Sequence, residues 1–152
     1  MLAVNHPIKI LVADDDEDDR FLIKEAFEES RLGNPVDFVE DGMELLEYLR
    51  REGQYQDLKK QAYPGLILLD LNMPRLDGRG ALTEIKKNSA WQRIPIVILT
   101  TSKSEEDIVR TYGLGVNSFI TKPVTFDDLV STVRVLGAYW LQIVALPPEC
   151  QK

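Results

Sequence analysis

The chain of 152 residues contains a single cysteine and a single histidine. Because Cys150 has no second cysteine to pair with, a disulfide framework and a cysteine-based metal site are excluded, and a reducing cytoplasm is the expected compartment. His6 lies before Pro7 in the N-terminal tail, which leaves no interior imidazole for a catalytic triad or a zinc site. If the protein handles phosphate, we therefore expect a carboxylate to carry it.

Long apolar runs and clusters of basic residues are also missing. No run approaches the roughly 20 apolar residues that a membrane helix needs, and no secretion signal opens the sequence, so we expect no membrane contact. The net charge of −7 and the lack of Lys and Arg clusters argue against nucleic-acid binding. With 44% hydrophobic and 28% charged residues, the composition is that of one soluble globular domain whose partners are proteins and cations.

The most informative stretch is residues 66–78, LILLDLNMPRLDG. Its first four residues are branched and apolar, which predicts a strand buried on both faces, as in a parallel sheet covered by helices. Asp70 follows at the carboxyl end of this strand, where open α/β sheets bind their ligands. An aspartate at this position can also simply stabilise a turn, so its role depends on its neighbours in the sheet.

Other predicted strands also end in polar side chains. They are Asp14 and Asp15 after the strand 8–13, Thr100 at the end of the strand 94–100, and Lys122 after the strand 118–121. Three carboxylates that converge repel one another unless a cation lies between them, and hard oxygen ligands favour Mg²⁺ or Ca²⁺. The set predicts a cation site with a hydroxyl donor and an ammonium group at the same edge of the sheet.

Each of these residues also has a simpler interpretation. An acidic run such as 14–19 is usually solvated, and its later members suit the first turn of a helix over 18–30. A hydroxyl such as that of Thr100 often caps a helix, although a serine further on is the better cap for the next predicted helix. A lysine before a proline is usually exposed, whereas a cis bond at Pro123 would turn Lys122 inward.

The remaining pattern alternates strands with helices. The predicted helices lie at 18–30, around 45–49, around 82–85, at 105–114 and from Thr125 to about residue 146. Residues 36–39 predict a further strand, and residues 53–65 a surface loop that is partly helical. We predict an α/β fold with a doubly wound, five-stranded parallel sheet in the flavodoxin-like order 2-1-3-4-5. Residues 1–152 then form one domain, with a core over about 8–134 and an extended C-terminal helix.

Four segments resemble, in order, the receiver domain of two-component response regulators. They are VADDD at 12–16, LLDLNMPRLDG at 68–78, ILTTS at 98–102 and FITKP at 119–123. More narrowly, the long loop before the third strand, TYGLGVNSFITKPV at 111–124 and YWLQIVALP at 139–147 resemble single-domain regulators paired with cyanobacterial phytochromes. The resemblance implies a signalling protein whose only chemistry is its own phosphorylation and dephosphorylation, rather than an enzyme.

The resemblance also implies roles for individual residues. Asp70 would be the phosphoacceptor that attacks a phosphohistidine on a partner histidine kinase, expected to be a phytochrome. Thr100 and Lys122 would stabilise the phosphoryl group. The implied ligands of Mg²⁺, for which Mn²⁺ or Ca²⁺ can substitute, are Asp14 through water, Asp15, Asp70 and the backbone carbonyl of Asn72.

Two further functions come from the same resemblance. Thr100 and Phe119 would form a switch, because movement of Thr100 towards the phosphoryl group opens space that the aromatic ring can enter. A tyrosine is common at this position, so an output that needs a phenolic hydroxyl is not expected here. Asn72 and Ser102 would flank the path of the hydrolytic water and tune the lifetime of the phosphoryl group.

Other classes of protein remain as alternatives. A phosphatase of the haloacid dehalogenase type also uses a nucleophilic aspartate at a strand end, but it places a second aspartate two residues later, where this chain has Asn72. A nucleotide-binding domain of similar fold would need a glycine-rich motif after a strand, and neither G-x-G-x-x-G nor G-x-x-x-x-G-K-[ST] is present there. A receiver that acts as a scaffold without phosphorylation is the third alternative.

The C-terminal segment 135–146 has more apolar residues than one helix face requires. After a core-facing row is assigned, Tyr139, Leu141 and Leu146 remain, and we expect them to form the interface of a symmetric homodimer. The alternative is that the final turns fold back on their own domain. Too few residues follow for a DNA-binding module, so we expect output through protein contacts.

Overall fold

Five parallel strands form a single sheet. The computed structural model describes residues 8–30, 33–71, 73–100, 118–121 and 125–136, with the backbone alone at residues 60, 100 and 118–121. The strands are β1 (Ile10–Ala13), β2 (Val36–Val39), β3 (Leu66–Asp70), β4 (Ile96–Thr100) and β5 (Ser118–Thr121). Their order in the sheet is β2-β1-β3-β4-β5. The predicted α/β class and the predicted strand order are confirmed.

Helices lie between successive strands as far as β4, and a further helix follows β5, within the described residues. They are α1 (Glu17–Ser30), α2 (Gly42–Arg50), a 3-10 helix (Gly53–Lys60), α3 (Gly78–Lys87) and α4 (Phe126–Leu136). The side chain of Thr125 accepts a hydrogen bond from the Asp128 N–H at 3.1 Å, as expected for the N-cap of the last helix. The helix predicted at 105–114 and the extension to residue 146 lie outside the described residues. No helix in the described part of the chain is long and apolar enough to cross a membrane.

The strands predicted at 8–13 and 94–100 each begin two residues later than expected. Pro95 has no N–H to contribute to the sheet, so the pairing of β4 begins at Ile96. The pairing of β1 with both of its neighbours begins at Ile10. Both differences lie at the amino ends of the strands and leave the carboxyl ends, where the site is predicted, unchanged.

Side chains of the central strands alternate between two hydrophobic layers. Ile10 and Val12 of β1 belong to the layer covered by α1 and α4, whereas Leu11 and Ala13 belong to the layer covered by α2 and α3. All five residues of β3 are buried. Because helices cover both faces of the sheet, its central strands can be apolar along their whole length.

The 3-10 helix packs beside α2. The ring of Tyr55 lies 5.0 Å from the ring of Tyr48, and the Tyr55 hydroxyl donates a short hydrogen bond to Glu44. Arg51, which ends α2 with φ at +60°, donates hydrogen bonds of 3.2 and 3.1 Å to the carbonyls of residues 61 and 62. The predicted loop is therefore partly helical, as expected, and aromatic and guanidinium contacts fix it to α2.

Candidate functional site

Three predicted site residues, Asp14, Asp15 and Asp70, lie together at the carboxyl edge of β1 and β3. One carboxylate oxygen from each lies within 4.8 Å of the other two. Asp14 and Asp70 are buried, with 0% and 5% exposure, whereas Asp15 is exposed. The sheet register explains why these side chains lie close together. Ala13 pairs with Leu69, so the residues that follow them, Asp14 and Asp70, lie side by side at the edge of the sheet. We call these three residues the acid cluster.

Hydrogen bonds divide the acidic run 14–19 into two parts. The Asp14 carboxylate accepts a hydrogen bond from the Asp16 N–H at 2.9 Å, which makes a tight turn directly after β1. The Asp16 carboxylate accepts two N–H groups of the first turn of α1, at 2.8 and 3.2 Å, and caps this helix. Residues 17–19 form that turn, where negative charge is favourable. The later acids therefore serve α1, while Asp14 and Asp15 belong to the acid cluster.

Arg20 is a neighbour of the acid cluster that sequence reasoning missed. Its Nη1 donates a hydrogen bond to the main-chain carbonyl of Asp14 at 2.8 Å, and its Nη2 lies 3.7 Å from the Glu40 carboxylate. The side chain is only 18% exposed, so the guanidinium is held between the loops that follow β1 and β2. A positive charge at this position reduces the repulsion among the nearby carboxylates. The one available signal was a single arginine directly after six acids.

The loop from β3 to α3 returns to the backbone of Asp70. The Gly78 N–H donates a hydrogen bond to the Leu71 carbonyl at 2.9 Å. A Cβ at Gly78 would lie 2.4 Å from the Asp70 carbonyl oxygen, so this close approach requires glycine. Asp77 caps α3 by accepting a hydrogen bond from the Gly80 N–H at 2.9 Å. The loop thus fixes the main chain on the carboxyl side of Asp70.

The same loop contacts the start of α2. Arg75 donates two hydrogen bonds to Asp41, from Nε to Oδ2 at 2.8 Å and from Nη2 to Oδ1 at 3.0 Å. Asp41 also accepts a hydrogen bond from the Glu44 N–H at 2.8 Å and caps α2. Burial raises the pKa of the Asp41 carboxyl, but hydrogen bonds from Arg75 and from the Glu44 and Met43 N–H groups, together with the charge of Arg75, outweigh it, so the pKa lies below its ordinary value of 3.8.

The other predicted site residues are described in part or not at all. Thr100 is the last residue of β4 and pairs with Thr121 of β5, so its backbone lies at the carboxyl edge of the sheet. The side chains of Thr100 and Phe119 are not described. The predicted residues outside the described ranges are Asn72, Ser102, Lys122, Pro123, Tyr139, Leu141 and Leu146.

The acid cluster fits a hard divalent cation. Oxygen ligands at 2.0–2.1 Å from Mg²⁺ lie at most about 4.2 Å from one another, and oxygens within 4.8 Å need only a small side-chain adjustment to reach that spacing. Carboxylate oxygens are the ligands that Mg²⁺ prefers. Because Asp15 is exposed, water can reach the cluster and supply the further ligands that Mg²⁺ usually keeps.

The family model of the response regulator receiver domain matches residues 10–134. The chain therefore belongs to the response regulator receiver domain family. It is 38% identical over 143 residues to the response regulator Rcp1 of Synechocystis sp., an alignment that covers 94% of this chain and 95% of Rcp1. The probable methanogenesis regulatory protein FilR2 of Methanothrix harundinacea is also 38% identical, over 93% of this chain and 88% of FilR2.

Solved structures give the same result. The phosphorylated cyanobacterial phytochrome response regulator RcpA matches with a TM-score of 0.79 and 42% identity, over 90% of this chain and 96% of RcpA. The Mn²⁺-bound form of Rcp1 matches with a TM-score of 0.79 and 38% identity, over 93% of this chain and 99% of Rcp1. The predicted resemblance to receiver domains, and among them to phytochrome response regulators, is confirmed.

Proposed function

We propose that this chain is a phosphoacceptor response regulator in which Asp70 receives a phosphoryl group from a histidine kinase in a Mg²⁺-dependent reaction. The observation that supports it most directly is the acid cluster at the carboxyl edge of a receiver fold. Open α/β sheets bind ligands at this edge. Carboxylates held this close to one another repel, and a cation bound between them would relieve this repulsion.

In the proposed reaction, a carboxylate oxygen of Asp70 attacks the phosphorus of a phosphohistidine. The P–O bond forms as the P–N bond breaks, and the imidazole of the kinase leaves with the electron pair. A bound Mg²⁺ supplies positive charge next to the phosphoryl oxygens. The residues that would hold the cation are Asp15, Asp70 and the backbone carbonyl of Asn72 directly, and Asp14 through water. We assign the further stabilisation of the phosphoryl oxygens to Thr100 and Lys122.

Labelling with acetyl phosphate tests this proposal without a kinase. The parent protein should acquire one phosphoryl group with Mg²⁺ and none with EDTA, and Asp70→Asn should abolish labelling because an amide is not the required nucleophile. Asp77→Asn is the matched control, since asparagine also caps a helix, and it should be labelled like the parent. Undiminished labelling of Asp70→Asn contradicts the proposal, and steady turnover of a phosphate ester favours the phosphatase alternative.

We further propose that the partner is a phytochrome histidine kinase in the cytoplasm. The support is the similarity to RcpA, which is named as a phytochrome response regulator and is 42% identical to this chain. FilR2, at 38% identity, is named for methanogenesis, so the choice of partner needs a direct test. Phosphotransfer profiling against the histidine kinases of the source organism should show the fastest transfer from a phytochrome. Faster transfer from another kinase contradicts this partner.

The proposed output is a change in protein contacts. We assign the switch to Thr100 and Phe119, and the control of the phosphoryl lifetime to Asn72 and Ser102. The Ser102→Ala variant should therefore be phosphorylated at the parent rate and lose its phosphoryl group at a different rate. An unchanged rate of loss contradicts the role of Ser102.

The proposed homodimer uses Tyr139, Leu141 and Leu146. Its support is the excess of apolar residues in segment 135–146 beyond those one helix face needs. Sedimentation of the parent protein at tens of micromolar should show a dimer, and the double variant Tyr139→Glu, Leu141→Glu should be monomeric. If both are monomers, phosphorylated or not, the dimer proposal is wrong.

A further inference from the structure

The loop that follows Asp70 contains a backbone conformation that side chains rarely adopt. Arg75 has φ at +64°, and among the described non-glycine residues only Arg51, which ends α2, shares a positive φ. The Leu76 N–H donates a hydrogen bond to the Pro74 carbonyl at 2.7 Å, which closes a three-residue turn centred on Arg75. Such a turn is rare and strained for a residue with a Cβ, so other contacts must stabilise it.

The side chain of Arg75 supplies one such contact across the loop. Its two parallel hydrogen bonds to Asp41, of 2.8 and 3.0 Å, are the strong geometry for a guanidinium and a carboxylate. Asp41 is itself held in place, because its side chain is 11% exposed and caps α2 through the Glu44 N–H. The strained turn is therefore bound to the rigid start of a helix.

The main chain reinforces this connection. The Gly42 N–H donates a hydrogen bond to the Leu76 carbonyl at 2.9 Å, and a Cβ at Gly42 would lie 2.2 Å from the same oxygen. At the other end of the loop, Gly78 contacts the main chain of Asp70 and Leu71. The loop is thus held at α2 by Gly42 and at the Asp70 main chain by Gly78.

We propose that Arg75 and Asp41 form a positioning pair that holds the loop after Asp70 against α2 and keeps the Asp70 main chain in the geometry needed for phosphorylation. This inference rests on the proposed function of Asp70. Neither residue contacts the phosphoryl group in this scheme. The pair acts through the loop, because small displacements of a reacting group reduce the rate steeply.

The structure argues against a role in stability alone. The Arg75 side chain is 56% exposed, and an ion pair with an exposed partner contributes little to stability. Its backbone conformation costs free energy, and strain retained in the loop that follows a reactive residue is often part of how a site is organised. The nearby pair of Arg79 with Asp77 differs, because it has one contact of 3.2 Å and joins residues two positions apart. Arg79 therefore provides a matched control.

The first test compares labelling rates of full-length variants by acetyl phosphate at saturating Mg²⁺. Arg75→Gln and Asp41→Asn should each lower the maximal rate roughly tenfold, with little change in the acetyl phosphate concentration that gives half-maximal rate. The double variant should be no slower than either single variant, because both remove the same contact. Arg75→Lys should recover part of the rate, and Arg79→Gln should stay within about twofold of the parent.

The second test does not depend on phosphorylation. Amide hydrogen exchange measured by NMR should be faster at Gly42 and Gly78 in Arg75→Gln than in the parent, while exchange in β1 stays the same. Parent-like labelling rates, or parent-like exchange at both glycines, in Arg75→Gln overturn the positioning pair. If the parent protein itself is not labelled, the proposed function and this inference both fail. If the parent is labelled and the variants are labelled at the parent rate, only the positioning pair is overturned.

Discussion

The aspartates at the strand ends and the aspartates at the helix starts have different surroundings. Asp14, Asp15 and Asp70 converge on one another, with carboxylate oxygens within 4.8 Å. Asp41 and Asp77 instead accept a helix N–H group and pair with an arginine. Like charges oppose the first arrangement, whereas N–H dipoles and guanidinium groups stabilise the second. The helix-start acids therefore stabilise the fold, and we propose that the strand-end acids bind a cation.

The largest expected effect on stability is at the helix starts. Asp41→Ala should lower the free energy of unfolding by about 2 kcal/mol, because it removes a helix cap whose side chain is only 11% exposed and leaves the Glu44 N–H without this acceptor. Asp77→Ala should cost about 1 kcal/mol, since the capping side chain of Asp77 is 38% exposed. Asp41→Asn keeps a capping oxygen and should cost less than Asp41→Ala. If urea denaturation shows that Asp41→Ala and Asp41→Asn lose the same free energy of unfolding, the capping role is wrong.

Mg²⁺ should stabilise the folded protein through the strand-end acids and not through the helix-start acids. At ten times its dissociation constant, Mg²⁺ should raise the free energy of unfolding of the parent by about 1.4 kcal/mol, because it binds the folded state. The gain should be mostly lost in Asp15→Asn and retained in Asp77→Asn. Urea denaturation with and without Mg²⁺ measures this gain in the free energy of unfolding. If Asp15→Asn gains as much as the parent, the cation binds elsewhere.

Without a cation, removal of a strand-end charge should have the opposite sign to removal of a helix-start charge. Asp15→Asn should raise the free energy of unfolding in EDTA by roughly 0.5 kcal/mol, because it relieves repulsion at a solvent-exposed position. The gain should shrink in high salt. Asp57→Asn, at an exposed acid of the 3-10 helix, is the control and should change stability less. Destabilisation by Asp15→Asn would remove the contrast between the two groups.

The smallest expected effect concerns acid pH. The pKa of Asp41 lies below its ordinary value of 3.8, so the charged carboxyl contributes stability above that value, which is lost as the pH falls through the folded pKa. Asparagine does not titrate. The stability difference between the parent and Asp41→Asn should therefore be constant near neutral pH and decrease below about pH 4. A difference that stays constant down to pH 3 would contradict the lowered pKa.

The sheet and the acid cluster could be predicted because both follow from repeating features. Asp14 directly follows one buried strand and Asp70 is the last residue of another, and the ends of neighbouring parallel strands share one edge. The contact of Arg75 with Asp41 joins residues 34 positions apart and depends on a loop conformation that no sequence period indicates. The burial of Trp91 could not be predicted either, since Trp91 lies in a polar segment of the sequence and yet is only 5% exposed, within the hydrophobic layer covered by α2 and α3.

The position of β1 beside β3 also has a kinetic consequence. Between these two strands the chain forms α1, β2, α2 and the 3-10 helix. The pair is therefore a nonlocal contact, which forms only after the entropy of closing the intervening chain has been overcome. Asp14 and Asp70 are brought together only by this step, so the folding chain has no complete cation site before it. If β1 pairs with β3 after the folding transition state, Mg²⁺ slows unfolding alone, and if they pair before it, Mg²⁺ also speeds refolding, so folding and unfolding rates measured with and without Mg²⁺ show when this step occurs.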